Sequence, residues 1–392
     1  MTAPGPTEPT AQVLAGGRVV TPAGVRADAW IEVRSGRIRQ VGRGSPPSAT
    51  VVSDLEGAWV LPGYIDLHMH GGGGHSVTTS PEAMRGAVNF HLQHGTTATL
   101  ISLMTDAESA LLKQLRWVAE LVRETRGRVL GTHLEGPFLA ASRCGAQNPA
   151  HLLMPDETLA ERLLGAAAGT LRVLTIAPEL PGALTLIQRL HAAGVTVALG
   201  HSDAGFEQAL AAFDAGAGHV THLFNAMAPM HHRRPGLAGA ALASTASCEL
   251  INDGVHLHPA VVAMVFSTCA APVLVTDAIA AAGVGDGSFS LGGLDVQVIG
   301  GEARLAGGQT LAGSTLTMDR ALRDAVQRSG VSIERAAAAA STTPARVLGL
   351  DRELGSIAAG RRADLVVLDD DLLVRRVMLG GRWSTAAALE ES

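Results

Sequence analysis

Short apolar runs alternate with amphipathic helical patterns through most of this chain, and the alternation sets the expected fold. From Val13 to about Gly57 come β-type runs, GGRVVTP, AWIEVRSGRIRQVG and TVVSDLEG, separated by Gly-containing turns. WVLPGYIDLHMHGGGG then reads as a buried strand, with glycines that let the backbone turn away behind it. The amphipathic PEAMRGAVNFHLQHG leads to an apolar run at 96–103, and ESALLKQLRWVAELVRETR to one at 128–137. Further helical patterns separate runs at 171–179, 195–203, 219–227, 248–257 and 271–280. Eight strands with intervening helices over roughly 280 residues is the count and size of a (β/α)8 TIM-type barrel, an α/β fold. A doubly wound open sheet would not need eight such units.

Two stretches break the alternation. Residues 284–313 are Gly-rich and β-like, a candidate lid over the strand ends. Residues 355–383 repeat the texture of the first fifty, so one small β-sandwich domain built from both termini is expected. The expected division is a disordered tail at 1–10, small-domain pieces at 11–57 and 351–392, and the barrel at 58–350.

Composition narrows the partners. The 392 residues are 47% hydrophobic and 17% charged, with a net charge of −6 and both signs interspersed. That balance argues against a nucleic-acid or anionic-membrane surface. Cys144, Cys248 and Cys269 lie far apart with no CxxC spacing, and read as free thiols of a reducing compartment. The N-terminus lacks the basic and apolar regions of a secretory signal, and no run reaches membrane-spanning length. A cytoplasmic protein is expected.

In a parallel barrel, functional side chains sit where strands end. Those positions hold His68 and His70, Glu135, His201, His222, His256 and Asp277. His68 and His70, at i and i+2, face the same way from an extended strand, as two ligands of one ion must. Histidines and carboxylates converging from different strands suit one or two divalent cations. A bound cation lowers the pKa of its water to about 7 and polarises a carbonyl, which is hydrolytic chemistry. Asp277, ending the apolar VLVTD, is placed to take and return the proton. His133 reads as a supporting or packing residue, and His219 as packing. His91, His94, His151 and His191 read as surface or core-edge residues, and Cys144 as incidental. Arg233 and Arg234, just beyond strand six, are either a solvated pair or an anion grip.

The motifs PGYIDLHMHG, HLEGPFL, GHSDA, VTHLFNAM, RRPGLAGA, INDGVHLHP, VTDAI and LAGSTLTMD run nearly the whole chain. Together they resemble the amidohydrolase superfamily and, within it, the N-acetylglucosamine-6-phosphate deacetylases. HLEGPF with THLFNAM is far more specific than HxH. The resemblance implies removal of acetate from N-acetylglucosamine 6-phosphate. It implies Glu135, His201 and His222 at a principal metal and Asp277 as general base, then acid. It also implies His256 polarising the amide carbonyl or holding the phosphate, Asn225 and Ala226 at the phosphate, and Arg233 reaching a neighbouring subunit's site in a homodimer. Zinc is the first choice of metal, with iron, cobalt or manganese as alternatives. His68 and His70 allow a second ion. Gln147 stands where the family often has a histidine before Asn-Pro, leaving the sugar or acetyl contact there open.

Two alternatives stay within the superfamily, a cyclic-amide hydrolase and an N-acyl-amino-acid deacylase. Many of these bridge two metals with a carboxylated lysine, but the one lysine here, Lys113, falls in a helical pattern. A metal-free binding module is opposed by a ligand type at each of these strand ends. An acyl-enzyme hydrolase is opposed by the absence of a GxSxG elbow.

Overall fold

The computed structural model describes residues 11–48, 51–125 and 127–384. The expected disordered stretch 1–10 and the last residues, 385–392, lie outside the described residues.

Eight strands form one sheet in sequence order: Tyr64–Asp66, Thr96–Leu103, Val129–Glu135, Leu171–Ile176, Thr196–Leu199, Ala217–Val220, Ser247–Ile251 and Ala271–Val275. Every neighbouring pair is parallel. The last strand meets the first and closes the cylinder. Asp277 N donates to His68 O at 2.8 Å, and His70 N to Ala278 O at 2.8 Å. Beneath these, the buried Asp66 carboxylate accepts from Thr276 N and Thr276 Oγ1 at 3.2 and 2.6 Å. Closure leaves this sheet no free edge along that seam.

Alternation along each strand separates two environments. Ile101, Leu103, Leu134, Leu174, Leu199 and Leu250 join the large core shared with the helices, including Leu111, Leu115, Leu163, Leu186 and Val265. Alternate positions Leu100, Val173, Ala198, Val273 and Val275 form a second cluster. The helices begin where their caps dictate. Ser80 Oγ accepts from Ala83 N ahead of Pro81–Gln93, and the Asp156 carboxylate accepts from Leu159 N ahead of Glu157–Ala167.

The run WVLPGYIDL, expected as one strand, is divided at Gly63. Trp59–Pro62 belongs to the small sheet and only Tyr64–Asp66 to the barrel. A Cβ at Gly63 would lie 2.2 Å from Thr97 Oγ1, so the crossing from one sheet to the other has room for glycine alone. Trp59–Pro62 pairs antiparallel with Leu365–Leu368 and parallel with Gln12–Thr21, which ties both ends of the chain into one sheet. That sheet encloses its own core, including Leu14, Ile31, Val60, Leu365 and Met378. The expected strand runs also overshoot: 219–227 is strand only at Ala217–Val220. Past that point the chain is already the loop that carries His222. The Gly-rich insertion is a three-stranded antiparallel meander, Gly287–Leu291, Leu294–Ile299 and Glu302–Leu305. Leu291 and Leu311 from this region reach the cavity at the strand ends.

His91, expected at the surface or core edge, is only 1% exposed. Its Nε2–H donates to Gly71 O at 2.9 Å, and its Nδ1 has no partner among the described residues. Burial pushes its pKa down from 6.5 to about 4. The folded state therefore favours the neutral ring. That preference contributes fully above pH 6.5 and is lost as pH falls toward 4, at about 1.4 kcal/mol per pH unit. Guanidinium unfolding midpoints of His91→Gln should therefore fall less steeply than those of the native chain between pH 6.5 and 4; equal slopes would contradict the assignment.

Candidate active site

Six side chains predicted to converge do so at one rim of the barrel. His68, His70, Glu135, His201, His222 and Asp277 are all nearly buried, none more than 7% exposed. Glu135 stands between two histidine pairs. Its Oε1 lies 2.9 Å from His201 Nε2 and 3.0 Å from His222 Nε2. Its Oε2 faces the other pair, 3.3 Å from His70 Nε2 and 3.6 Å from His68 Nε2. Within each pair the Nε2 atoms are 3.0 Å apart. Asp277 Oδ1 completes the first group, 3.4 Å from His68 and 3.3 Å from His70. Two groups could each hold a metal ion, His68–His70–Glu135 and Glu135–His201–His222.

The tautomers show what this arrangement suits. His68 Nδ1 faces the Glu249 carboxylate at 2.9 Å, His70 Nδ1 the Ser102 carbonyl at 3.0 Å, and His201 Nδ1 the Arg143 carbonyl at 2.9 Å. These partners only accept, so each proton sits on Nδ1 and each Nε2 turns a lone pair inward. Between His68 and His70 these lone pairs are opposed across 3.0 Å and repel unless a cation lies among them. Nitrogens bound about 2.0 Å from one tetrahedral ion stand roughly 3.3 Å apart, close to the spacing here. Charge points the same way. Burial would lower His70, but hydrogen bonds to Asp277 and Glu135 outweigh it and raise it to about 9, so the inward lone pair on Nε2 draws a proton wherever a cation does not take it. Burial would raise Glu135 and Asp277, yet the surrounding imidazoles hold both below the usual carboxylate range. The cluster draws positive charge, and a divalent cation supplies it.

Backbone strain accompanies the site. His201, His222 and Asp277 adopt φ of +48°, +28° and +49°, where non-glycine residues cost about 1–3 kcal/mol each. In each case the strand has just ended and the chain kinks there, which turns the side chain across the barrel mouth.

Glu249 is the residue that the sequence reading missed. It is 0% exposed on the seventh strand. It accepts from His68 Nδ1–H, from His219 Nε2–H at 3.0 Å and from His222 N at 3.0 Å. One buried carboxylate thus orients ligands of both groups. Burial alone would raise its pKa, but His68 and His219 hold it well below the ordinary range. The only local signal was a charge inside the apolar run CELI. His219 is therefore part of a hydrogen-bonded network and not mere packing. His133 bonds Ser102 Oγ and Thr175 Oγ1 at 3.1 and 2.8 Å while its ring packs on His68 at 4.5 Å. Burial pushes it down to about 3 and keeps it neutral.

A cavity of about 310 Å³ opens over the cluster, lined by Gln147, Asn225, Ala226, His256 and Leu311 among others. His256 Nδ1–H donates to the Asp253 carboxylate at 2.8 Å, leaving Nε2 for whatever occupies the cavity. Asn225 Nδ2 is directed at its own turn, donating to His222 O and Leu223 O. Gln147 faces the cavity but spends its amide on protein, accepting from Thr105 N and donating to Glu135 Oε2. Arg233 is not brought to this cavity. It is exposed, bonded to His232, and lines a separate depression with Arg143 and Arg234. Lys113 lies on the outer helix Glu108–Glu124, 4.7 Å over the Trp117 ring, and cannot bridge metals here.

Comparison with known proteins agrees with this geometry. The chain is 38% identical over 382 residues to an Escherichia coli O157:H7 N-acetylgalactosamine-6-phosphate deacetylase, covering 95% of this chain and 99% of that one. It is 37% identical over 399 residues to the human N-acetylglucosamine-6-phosphate deacetylase, covering 96% and 95%. A variant N-acetyl-D-glucosamine-6-phosphate deacetylase from Mycobacterium smegmatis, solved in complex with N-acetyl-D-glucosamine-6-phosphate, superposes with a TM-score of 0.90 at 41% identity. That match covers 96% of this chain and 99% of the other. Residues 59–384 match the amidohydrolase family, and with the barrel and its histidine–carboxylate rim in place, this chain belongs to that family.

Proposed function

We propose that this protein hydrolyses the amide of N-acetyl-D-glucosamine 6-phosphate, releasing acetate and D-glucosamine 6-phosphate. The observation that carries the reading is the meeting of Glu135, His201 and His222 within 3.0 Å of one another, beside Asp277, under a cavity of sugar-phosphate size. Zinc is the first choice of cation on this donor set, with iron, cobalt or manganese as alternatives, and one or two ions per chain. When bound, the cation supplies Lewis acidity toward the amide carbonyl and lowers the pKa of a water in the same cavity. The chain supplies the rest. Asp277, ionised because His68 and His70 offset its burial, takes a proton from water and delivers it to the departing amine. His256, its tautomer set by Asp253, directs Nε2 at the carbonyl or the phosphate. Asn225 and Ala226 offer the turn after His222 to the phosphate, and Gln147 closes the wall of the cavity.

Arg233 completes the phosphate site of a second copy, so the working unit is a homodimer. Its exposure, and its distance from its own cavity, support that assignment. A cytoplasmic location fits the three free thiols and the finding that no described helix is long and apolar enough to cross a membrane.

Purified protein with divalent cation should release acetate from N-acetylglucosamine 6-phosphate faster than from its N-acetylgalactosamine counterpart or from the unphosphorylated sugar. Chelation should abolish the activity and added cation restore it. No acetate from any of the three would refute the assignment. Asp277→Asn should lower kcat by about 10²- to 10⁴-fold with cation content unchanged; a smaller loss would remove Asp277 from proton transfer. Arg233→Ala and Asp277→Asn, each nearly inactive alone, should recover part of the activity when co-expressed, because a mixed dimer contains one intact site. Absence of recovery would place Arg233 outside the neighbour's site.

A further inference from the structure

Gln147 carries more information than its place in the cavity wall. It is 2% exposed, and both ends of its amide are committed. Thr105 N, which can only donate, lies 2.8 Å from Oε1. That fixes which end is oxygen, so the NH2 faces Glu135 Oε2 at 2.7 Å. Thr105 Oγ1 in turn donates to the Glu135 carbonyl at 3.2 Å. Thr105, Gln147 and Glu135 thus form a closed hydrogen-bonded loop, with Thr105 1% exposed.

The loop matters because of which oxygen it holds. The terminal torsion of a glutamate is broad and two-fold, so the side chain alone does not fix how its carboxylate is turned. An unrestrained Glu135 could swing both oxygens onto His201 and His222. Instead Oε1 faces that pair and Oε2 is held opposite His68 and His70. Resting on the cation reading above, we infer that Gln147 is a positioning residue that divides the Glu135 carboxylate between two cation positions, and so sets whether the position at His68 and His70 is filled. A neutral amide donates at every working pH, and it does so without adding charge beside the ions.

Cation binding can be read directly, independent of turnover. The native chain, dialysed against graded free Mn²⁺, should take up two ions per subunit and give the exchange-coupled paramagnetic resonance spectrum of a close pair. In Gln147→Leu one ion should stay tight while the other weakens by about 10- to 100-fold, with the coupled spectrum giving way to that of isolated Mn²⁺. Gln147→Asn, which keeps the amide but stops one methylene short, should behave alike. Gln147→His, which restores an N–H donor of sufficient reach, should recover the second ion. Two equally tight ions in both Gln147→Leu and Gln147→Asn, or equal weakening of both ions, would overturn the inference while leaving the cation site standing. A native chain that binds no cation would overturn the site and the inference together.

Discussion

The structure depends on a carboxylate almost wholly withdrawn from solvent at the floor of the cavity. Glu135 is 2% exposed and surrounded by four imidazoles, and an ion in such a place is tolerated only if its charge is answered at contact distance. The answer comes from three different strand ends, and those strands are held in register by the closed sheet. An error of one residue in any of them would turn a ligand outward into the helix layer and leave the carboxylate unpaired. Fold and site therefore specify one another.

A second buried carboxylate supports the first. Glu249 holds the ring of His68 and the backbone of His222, so the two ion positions share one anchor as well as one bridge. Below this level the barrel interior stays polar for another layer. Thr175 Oγ1 meets His133 Nε2 at 2.8 Å and Thr221 Oγ1 at 2.7 Å. Such a network keeps the imidazoles from rotating and holds their donor faces toward the site before any ligand arrives. The cost appears as strain in the backbone of His201, His222 and Asp277, which a packed barrel on one side and the network on the other can sustain.

Elements outside the eight strands complete the cavity wall. Residues of the inserted meander and the loop after it, Leu291 and Leu311, reach over the cavity, while Gln147 comes from the loop after strand three. None of the described residues of the small sheet lines the cavity, yet that sheet ties the pieces from both ends of the chain together beside the first barrel strand through Trp59–Pro62. Leu291 and Leu311 can thus change what enters without touching the rim, whereas Gln147 is bonded to the rim itself at Glu135 Oε2.

Periodicity and strand-end position were local properties, so they were legible in the sequence. Alternating runs revealed eight barrel strands, and reading only their ends found His68, His70, Glu135, His201, His222 and Asp277. What required the folded chain was every relation between distant positions. Glu249 and His68 are 181 residues apart, and nothing near either one announces the other. The amide of Gln147 could be oriented only once Thr105 N, 42 positions earlier, was found against it. The division of one apolar run at Gly63 depended on Thr97 crossing behind it. Local pattern determined which side chains stand at the rim; tertiary contact alone decided which atoms face one another, because the partners that set a tautomer or turn a carboxylate come from other strands.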